Sequence, residues 1–236
     1  MQVQLADNAE FSYRIERSPR RRTVSIQIDA GEVVVRAPTS ADVLWIDGWV
    51  QSKAQWIYPR LRRQQADLER HQIDPSSGQI QLFGESFRLV HSSVRRIPID
   101  AVDQEQRLIH LSGRDSFADP VKLEQRLKRL LREAGRHYLE QLTQQIAQRS
   151  GLTPSAIYVR NYKRKWGQCS SRKEITLNWR VLHLPTTLQE YVVVHELCHL
   201  LQMNHSWAFW NLVEQHCPDY VQRREQLKQY GACLMW

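Results

Sequence analysis

The stretch Tyr191-Val-Val-Val-His195-Glu196-Leu-Cys-His199-Leu-Leu constrains this chain more than any other. Its apolar residues, Val192, Val193, Val194, Leu197, Leu200 and Leu201, are distributed around a whole helical circumference rather than along one stripe. A helix that is apolar all round is a buried helix. Yet this one carries two histidines and a glutamate. His195 and His199 stand four apart and share a face. Two imidazoles at that spacing can hold one Zn²⁺, and Glu196 then lies beside the ion. A buried carboxylate is costly unless it is paired or serves such a site. Catalytic zinc usually takes three protein ligands and keeps one open position.

His205 is the nearest candidate for the third ligand, provided the chain turns after His199. Asn204, a residue that tolerates the left-handed turn, is expected to end the helix there. Glu214 on the following helix competes, with His216 and Asp219 behind it. Cys198 lies inside the motif on a neighbouring face and is expected to pack as a small hydrophobe.

The chain has 236 residues, enough for one large domain or two small ones. The N-terminus has no basic segment followed by an apolar run, so no secretory signal is expected. No run of eighteen apolar residues suggests a membrane span. The 4 cysteines (Cys169, Cys198, Cys217, Cys233) form no C-x-x-C pair and no disulfide framework, which points to a reducing, cytoplasmic compartment. The net charge is +8, with basic residues gathered in Arg17–Arg22, Arg60–Arg63, Lys122–Arg136 and Lys163–Lys165. They read first as solvated faces, with nucleic-acid or nucleotide contact left open.

The fold class expected is α+β. Val24, Ile26 and Ile28 alternate with polar residues, and Val33 and Val35 follow Ala30-Gly31, the pattern of a hairpin. Asp42 opens a helix in which Trp45 and Trp49 mark core packing, interrupted near Pro59. Asp74-Pro-Ser-Ser-Gly78 is a turn, and short strands are expected in Gln79–Val90 and Arg95–Leu111. The character changes near residue 117, which suggests a β-rich part with one helix over 1–116 and a catalytic part over 117–236. Asp119-Pro120 starts a long helix that Gly151 ends. Ile157–Arg160 and Glu174–Trp179 read as strands, and Pro185 opens the helix of the motif. If Glu174–Trp179 is an exposed edge, it could bind an extended peptide, and Asn178 could touch it. Cys169, in a polar Gly/Ser segment, is a second candidate for substrate contact or redox control. No internal repeat is visible.

Four motifs in order, Lys165-Trp-Gly-Gln168-Cys169-Ser-Ser171, Ile175-Thr-Leu-Asn178-Trp-Arg180, the Tyr191–Leu200 run and Met203-Asn-His205-Ser-x-x-Phe-Trp210, resemble the YgjP-like metallopeptidases. That group of zincins is distantly similar to the SprT-like proteases. One departure is Lys165-Trp-Gly-Gln168, where the family often has Arg-Trp-Gly-Ser. The resemblance implies a zincin-type catalytic part with His195, His199 and His205 as zinc ligands and Glu196 as the acid–base. The expected function is a zinc-dependent hydrolase, a metallopeptidase acting on protein or peptide, in which Glu196 activates a zinc-bound water. The alternatives are a metal-dependent nucleoside triphosphate (UTP-type) pyrophosphatase and a DNA-associated protein with SprT-like protease activity.

Overall fold

The computed structural model describes residues 1–4, 10–29, 31–92, 100–113 and 119–236. The chain divides into two compact units, Met1–His71 and Gln72–Trp236. The change of character near residue 117 coincides with the start of a helix inside the second unit. The 114–118 segment itself, like Ala30 and the 95–99 part of the expected strand region, lies outside the described residues.

The first unit is a four-stranded sheet covered by two helices. Strands β1 (Gln2–Gln4), β2 (Glu10–Ser18), β3 (Ser25–Asp29) and β4 (Glu32–Pro38) lie in the order β1-β2-β4-β3. β3 and β4 form the expected antiparallel hairpin, and β2 runs parallel to β4 with Tyr13 opposite Val33. Helices α1 (Val43–Ser52) and α2 (Ala54–His71) bury Ile46, Val50, Ile57 and Leu61 against Phe11, Tyr13, Val33 and Val35. Two expectations change here. The helix breaks at Lys53, not at Pro59, which lies inside α2. Trp45 is 55% exposed and stacks on Trp49, because the buried stripe runs through Ile46 and Val50 beside it.

The second unit begins with a sheet of the same topology. β5 (Gln79–Leu82), β6 (Glu85–Ser92), β7 (Ala101–Asp103) and β8 (Leu108–Ser112) lie in the order β5-β6-β8-β7, with β6 parallel to β8 and Leu89 opposite Ile109. The ladders are antiparallel, parallel and antiparallel in both sheets. The buried residues recur too. Phe11, Tyr13, Val33 and Val35 correspond to Phe87, Leu89, Ile109 and Leu111, a constant step of 76 residues. The left-handed Gly31 corresponds to the left-handed Arg107 at the same step. Asp42 and Asp119 each cap the helix that follows. Ile46 and Val50 of α1, and Ala54 at the start of α2, then recur as Leu123, Leu127 and Leu131 of one helix. The structure thus contains an internal repeat of four strands and a helix, against the expectation of none.

In the second unit that helix, α3 (Pro120–Ser150), is much longer and ends at the left-handed Gly151 as expected. Its first half packs on the β5–β8 sheet through Leu123, Leu127 and Leu131. Its second half, through Leu139, Ile146 and Ala147, enters a second core with β9 (Ala156–Arg160), β10 (Gly167–Cys169), β11 (Glu174–Asn178) and α4 (Thr186–Cys198). Tyr138 donates to Gln189 Oε1 at 2.7 Å, and Gln189 Nε2 donates to Leu184 O at 2.8 Å, which fixes the start of α4. α5 (Trp207–His216) and α6 (Tyr220–Leu227) close the unit. No helix among the described residues is long and apolar enough to cross a membrane.

Candidate metal centre

α4 is buried on all sides, with Leu188, Tyr191, Val192, Val193, Val194, Leu197 and Cys198 in the core. It ends at Cys198, earlier than the apolar run suggests. His199 keeps a right-handed helical backbone (φ −64°, ψ −14°), and a tight turn follows, with Leu200 N–H donating to Leu197 O at 3.0 Å. Leu201 therefore points out and is 60% exposed, instead of joining the core. Asn204 is not left-handed, since the non-glycine residues of positive φ among the described residues are Phe83, Arg107 and Lys173. Its side chain instead accepts from Ser206 N–H at 3.3 Å, and this local bond shapes the loop that returns His205 to the helix.

The result is a three-histidine cluster. Candidate ligand atoms of His195, His199 and His205 all lie within 4.8 Å of one another. His195 Nε2 and His205 Nε2 are 3.1 Å apart. Two nitrogens bound to one tetrahedral zinc at the usual ~2.0–2.1 Å would sit about 3.3–3.4 Å apart, so the cluster needs little adjustment to hold such an ion. His199 Nδ1 lies 2.9 Å from Gln202 O and can donate to it, which leaves its Nε2 lone pair free for a metal.

Aromatic residues of α5 and α6 hold the rings. Phe209 stacks on His199 (4.4 Å, 24°), and Trp210 stacks on His205 (5.5 Å, 28°) and on Tyr220 (5.4 Å, 14°). Burial, followed by the neighbouring His199, His205 and Arg224, pushes His195 down to about 3. His199 is also lowered, again chiefly by burial. Both imidazoles are therefore neutral at pH 7, the state that a metal ligand needs. The chemistry of the donor set, three nitrogens with no carboxylate, suits zinc. Glu214 is exposed on α5 and stands outside the cluster, as do His216 and Asp219, the latter bound to Arg223 at 2.8 Å.

Glu196 is 7% exposed. Among the described residues, no hydrogen bond or ion pair holds its carboxylate. Burial pushes it up to about 8, and the Lys165 charge works in the opposite direction. It packs against the backbone of β10. A methyl group placed on Gly167 would lie 2.7 Å from Glu196 Cγ and 2.7 Å from Oε1. Gly167 is thus the residue that gives the carboxylate its place, and spacing alone cannot reveal a role that arises from a strand meeting a helix.

Asn178 departs from expectation. It is fully buried, donates to Tyr162 O (2.8 Å) and Lys165 O (2.9 Å), and accepts from Arg180 N–H (3.2 Å). These bonds fasten the segment before β10, so in this structure its side chain braces backbone rather than facing a cleft. Nor is β11 an edge, since the sheet order is β10-β11-β9 and the edge beside Glu196 is β10. Cys169 sits on that edge, half-buried, with its thiol raised by burial and then by Glu196. Cys198 packs in the core as expected, its thiol pushed up to about 12 by burial and then by Cys217.

No curated protein matches the chain. Two solved structures are similar to parts of it. One is the metallopeptidase zymogen abylysin of Pyrococcus abyssi, with 26% identity over 38% of this chain and 90% of that one and a TM-score of 0.35. The other is the metallopeptidase zymogen jannalysin of Methanocaldococcus jannaschii, with 22% identity over 38% of this chain and 95% of that one and a TM-score of 0.32. The YgjP-like metallopeptidase domain matches from residue 22 to residue 230, a stretch that takes in all three histidines, Glu196 and the β10 edge, and the chain belongs to that family.

Proposed function

We propose that the protein is a zinc-dependent peptidase in which His195, His199 and His205 hold the metal and Glu196 is the general base. The observation that carries this reading is Glu196, one residue from His195 and only 7% exposed, whose carboxylate has no hydrogen bond or ion pair among the described residues. A fold retains such a group at a cost, and a proton-transfer role accounts for it. When bound, zinc supplies a Lewis acid that polarises the scissile carbonyl and acidifies water. Glu196 takes the proton of the attacking water on its carboxylate and later delivers it to the leaving amine.

The β10 edge supports a peptide substrate. Asn178 N–H donates to Trp166 O at 2.7 Å and Ser170 N–H donates to Glu174 O at 2.9 Å, so residues 166, 168 and 170 bond to β11. Antiparallel pairing alternates, so the N–H and C=O groups of Gly167 and Cys169 point away from β11. An extended peptide can add there as a further strand, beside Glu196. Leu201, Met203 and Trp207, which flank His205 in the chain, are 60%, 57% and 79% exposed. They favour the apolar side chains that unfolded polypeptide displays. Zinc-loaded protein is expected to hydrolyse an unfolded protein substrate, to stop on chelation and to resume on zinc addition. Chelator-insensitive cleavage, or none by metal-replete protein, would sink the proposal.

Gly167→Ala tests the packing under Glu196. Its backbone is not left-handed, so the substitution adds only the close approach to Glu196. Zinc content should stay unchanged, and kcat should fall by on the order of a hundredfold as the base is displaced. Wild-type turnover in this variant would show that Glu196 needs no such placement.

A further inference from the structure

The strand that borders the centre is bracketed by positive charge. From Arg160 to Lys173 the chain carries Arg160, Lys163, Arg164, Lys165, Arg172 and Lys173, with no carboxylate before Glu174. All six are exposed. Many exposed cations elsewhere in the unit have a carboxylate partner: Arg107 pairs with Glu85, Lys122 with Asp119, Arg136 with Glu133, and Lys228 with Glu225; Arg88, Arg129, Arg132 and Arg224 join no salt bridge among the described residues, but they are not gathered in one short segment. Among the described residues, no salt bridge includes Arg160, Lys163, Lys165, Arg172 or Lys173. The charge lies where a bound strand would pass. Lys163–Lys165 immediately precede Trp166-Gly167, and Arg172 and Lys173 form the turn between β10 and β11. At about 3.3 Å per residue β10 spans only ~10 Å, so a peptide paired with it reaches cations at both ends. Lys165 is also near enough to act on the Glu196 carboxylate.

We propose that the free edge of β10 is a subsite for an extended acidic peptide, with Lys163–Lys165 at one end and Arg172 and Lys173 at the other as its charge complement. Its position beside the scissile bond rests on the peptidase reading above. The enzyme then selects unfolded segments that carry Asp or Glu a few residues from the cleavage point, and it disfavours basic ones through like-charge repulsion. Because the cations are exposed, the selection is salt-dependent.

The test uses full-length Glu196→Gln protein loaded with zinc, so that binding is read without turnover. Three fluorescein-labelled peptides share one uncharged centre and are flanked by Glu, Gln or Lys. Fluorescence anisotropy at low salt is expected to give about tenfold tighter binding for the Glu peptide than for the Gln peptide, and weaker binding for the Lys peptide. The differences should close in high salt. Lys163→Glu with Arg172→Glu should reverse the order of the Glu and Lys peptides, and Lys163→Gln alone should weaken the Glu peptide about threefold. Equal affinities, or an order untouched by charge reversal, would overturn the subsite. So would a single-stranded oligonucleotide of the same charge that displaces the Glu peptide and binds more tightly, since the strip would then be a nucleic-acid surface. Wild-type zinc-loaded protein assayed with the same peptides separates the two ideas. Charge-ordered binding without cleavage leaves the subsite standing and removes the peptidase reading, whereas cleavage blind to charge does the reverse.

Discussion

Glu196→Gln is expected to lower hydrolysis by two or more orders of magnitude while zinc content stays close to one per chain. The amide keeps the shape of the carboxylate, so it still fits against Gly167. It also spares the metal in the proposed site, where His195, His199 and His205 would be the three donors. What disappears is the ability to accept a proton from the attacking water, and general acid–base catalysis of this kind supplies about 10²–10⁴-fold. Metal analysis and turnover on the same preparation check both halves. A variant that loses its zinc would make Glu196 structural. One that keeps zinc and full turnover would assign the base elsewhere.

The second large effect is on the metal itself. Replacement of His195 and His199 together by alanine should abolish stoichiometric zinc binding and with it all chelator-sensitive hydrolysis. Two of three donors are gone, and the aromatic cage of Phe209 and Trp210 offers no substitute. Each alanine also leaves space beside a buried ring, so the variant's fold should be checked by circular dichroism alongside its metal content. A folded double variant with a full complement of zinc would place the ion somewhere other than this cluster. His205→Ala separates the third ligand in the same way: retention of tight zinc binding there would bring Glu214 back into question despite its exposure on α5.

The legible part of the site is the part whose geometry is local. Four-residue spacing on a helix sets His195 above His199, and six more residues suffice for the chain to turn and present His205. The N-cap Asp119 and the left-handed Gly151 delimit α3 for the same reason. Misreadings arise where tertiary contacts decide. Leu201 looks like core in the apolar run, yet the helix has already ended at Cys198. Pro59 looks like a helix breaker, yet it sits within α2 and the break falls at Lys53. Asn178 looks like a polar residue waiting for a ligand, but three backbone groups already occupy it. β10 is three residues long and carries no alternating pattern, so both the real sheet edge and the contact between Gly167 and Glu196 are invisible until the strand is placed. The repeat is hidden differently. Its equivalent positions keep apolar class and spacing but not identity: Tyr13 answers to Leu89, Val33 to Ile109, Val35 to Leu111.

α3 carries a consequence for how this protein can be dissected. A fragment starting near residue 117 would keep every group of the metal centre, yet it would strip the β5–β8 sheet from Leu123, Leu127 and Leu131 and leave one flank of the helix bare to water. That same rod, a few turns on, is the floor beneath β11 and α4. The smallest piece that can carry the chemistry with its interior intact therefore starts at residue 72. Residues 1–71 form the other compact unit and have an interior of their own. The metal centre thus leans on a helix that serves two interiors at once, one along each half of its length.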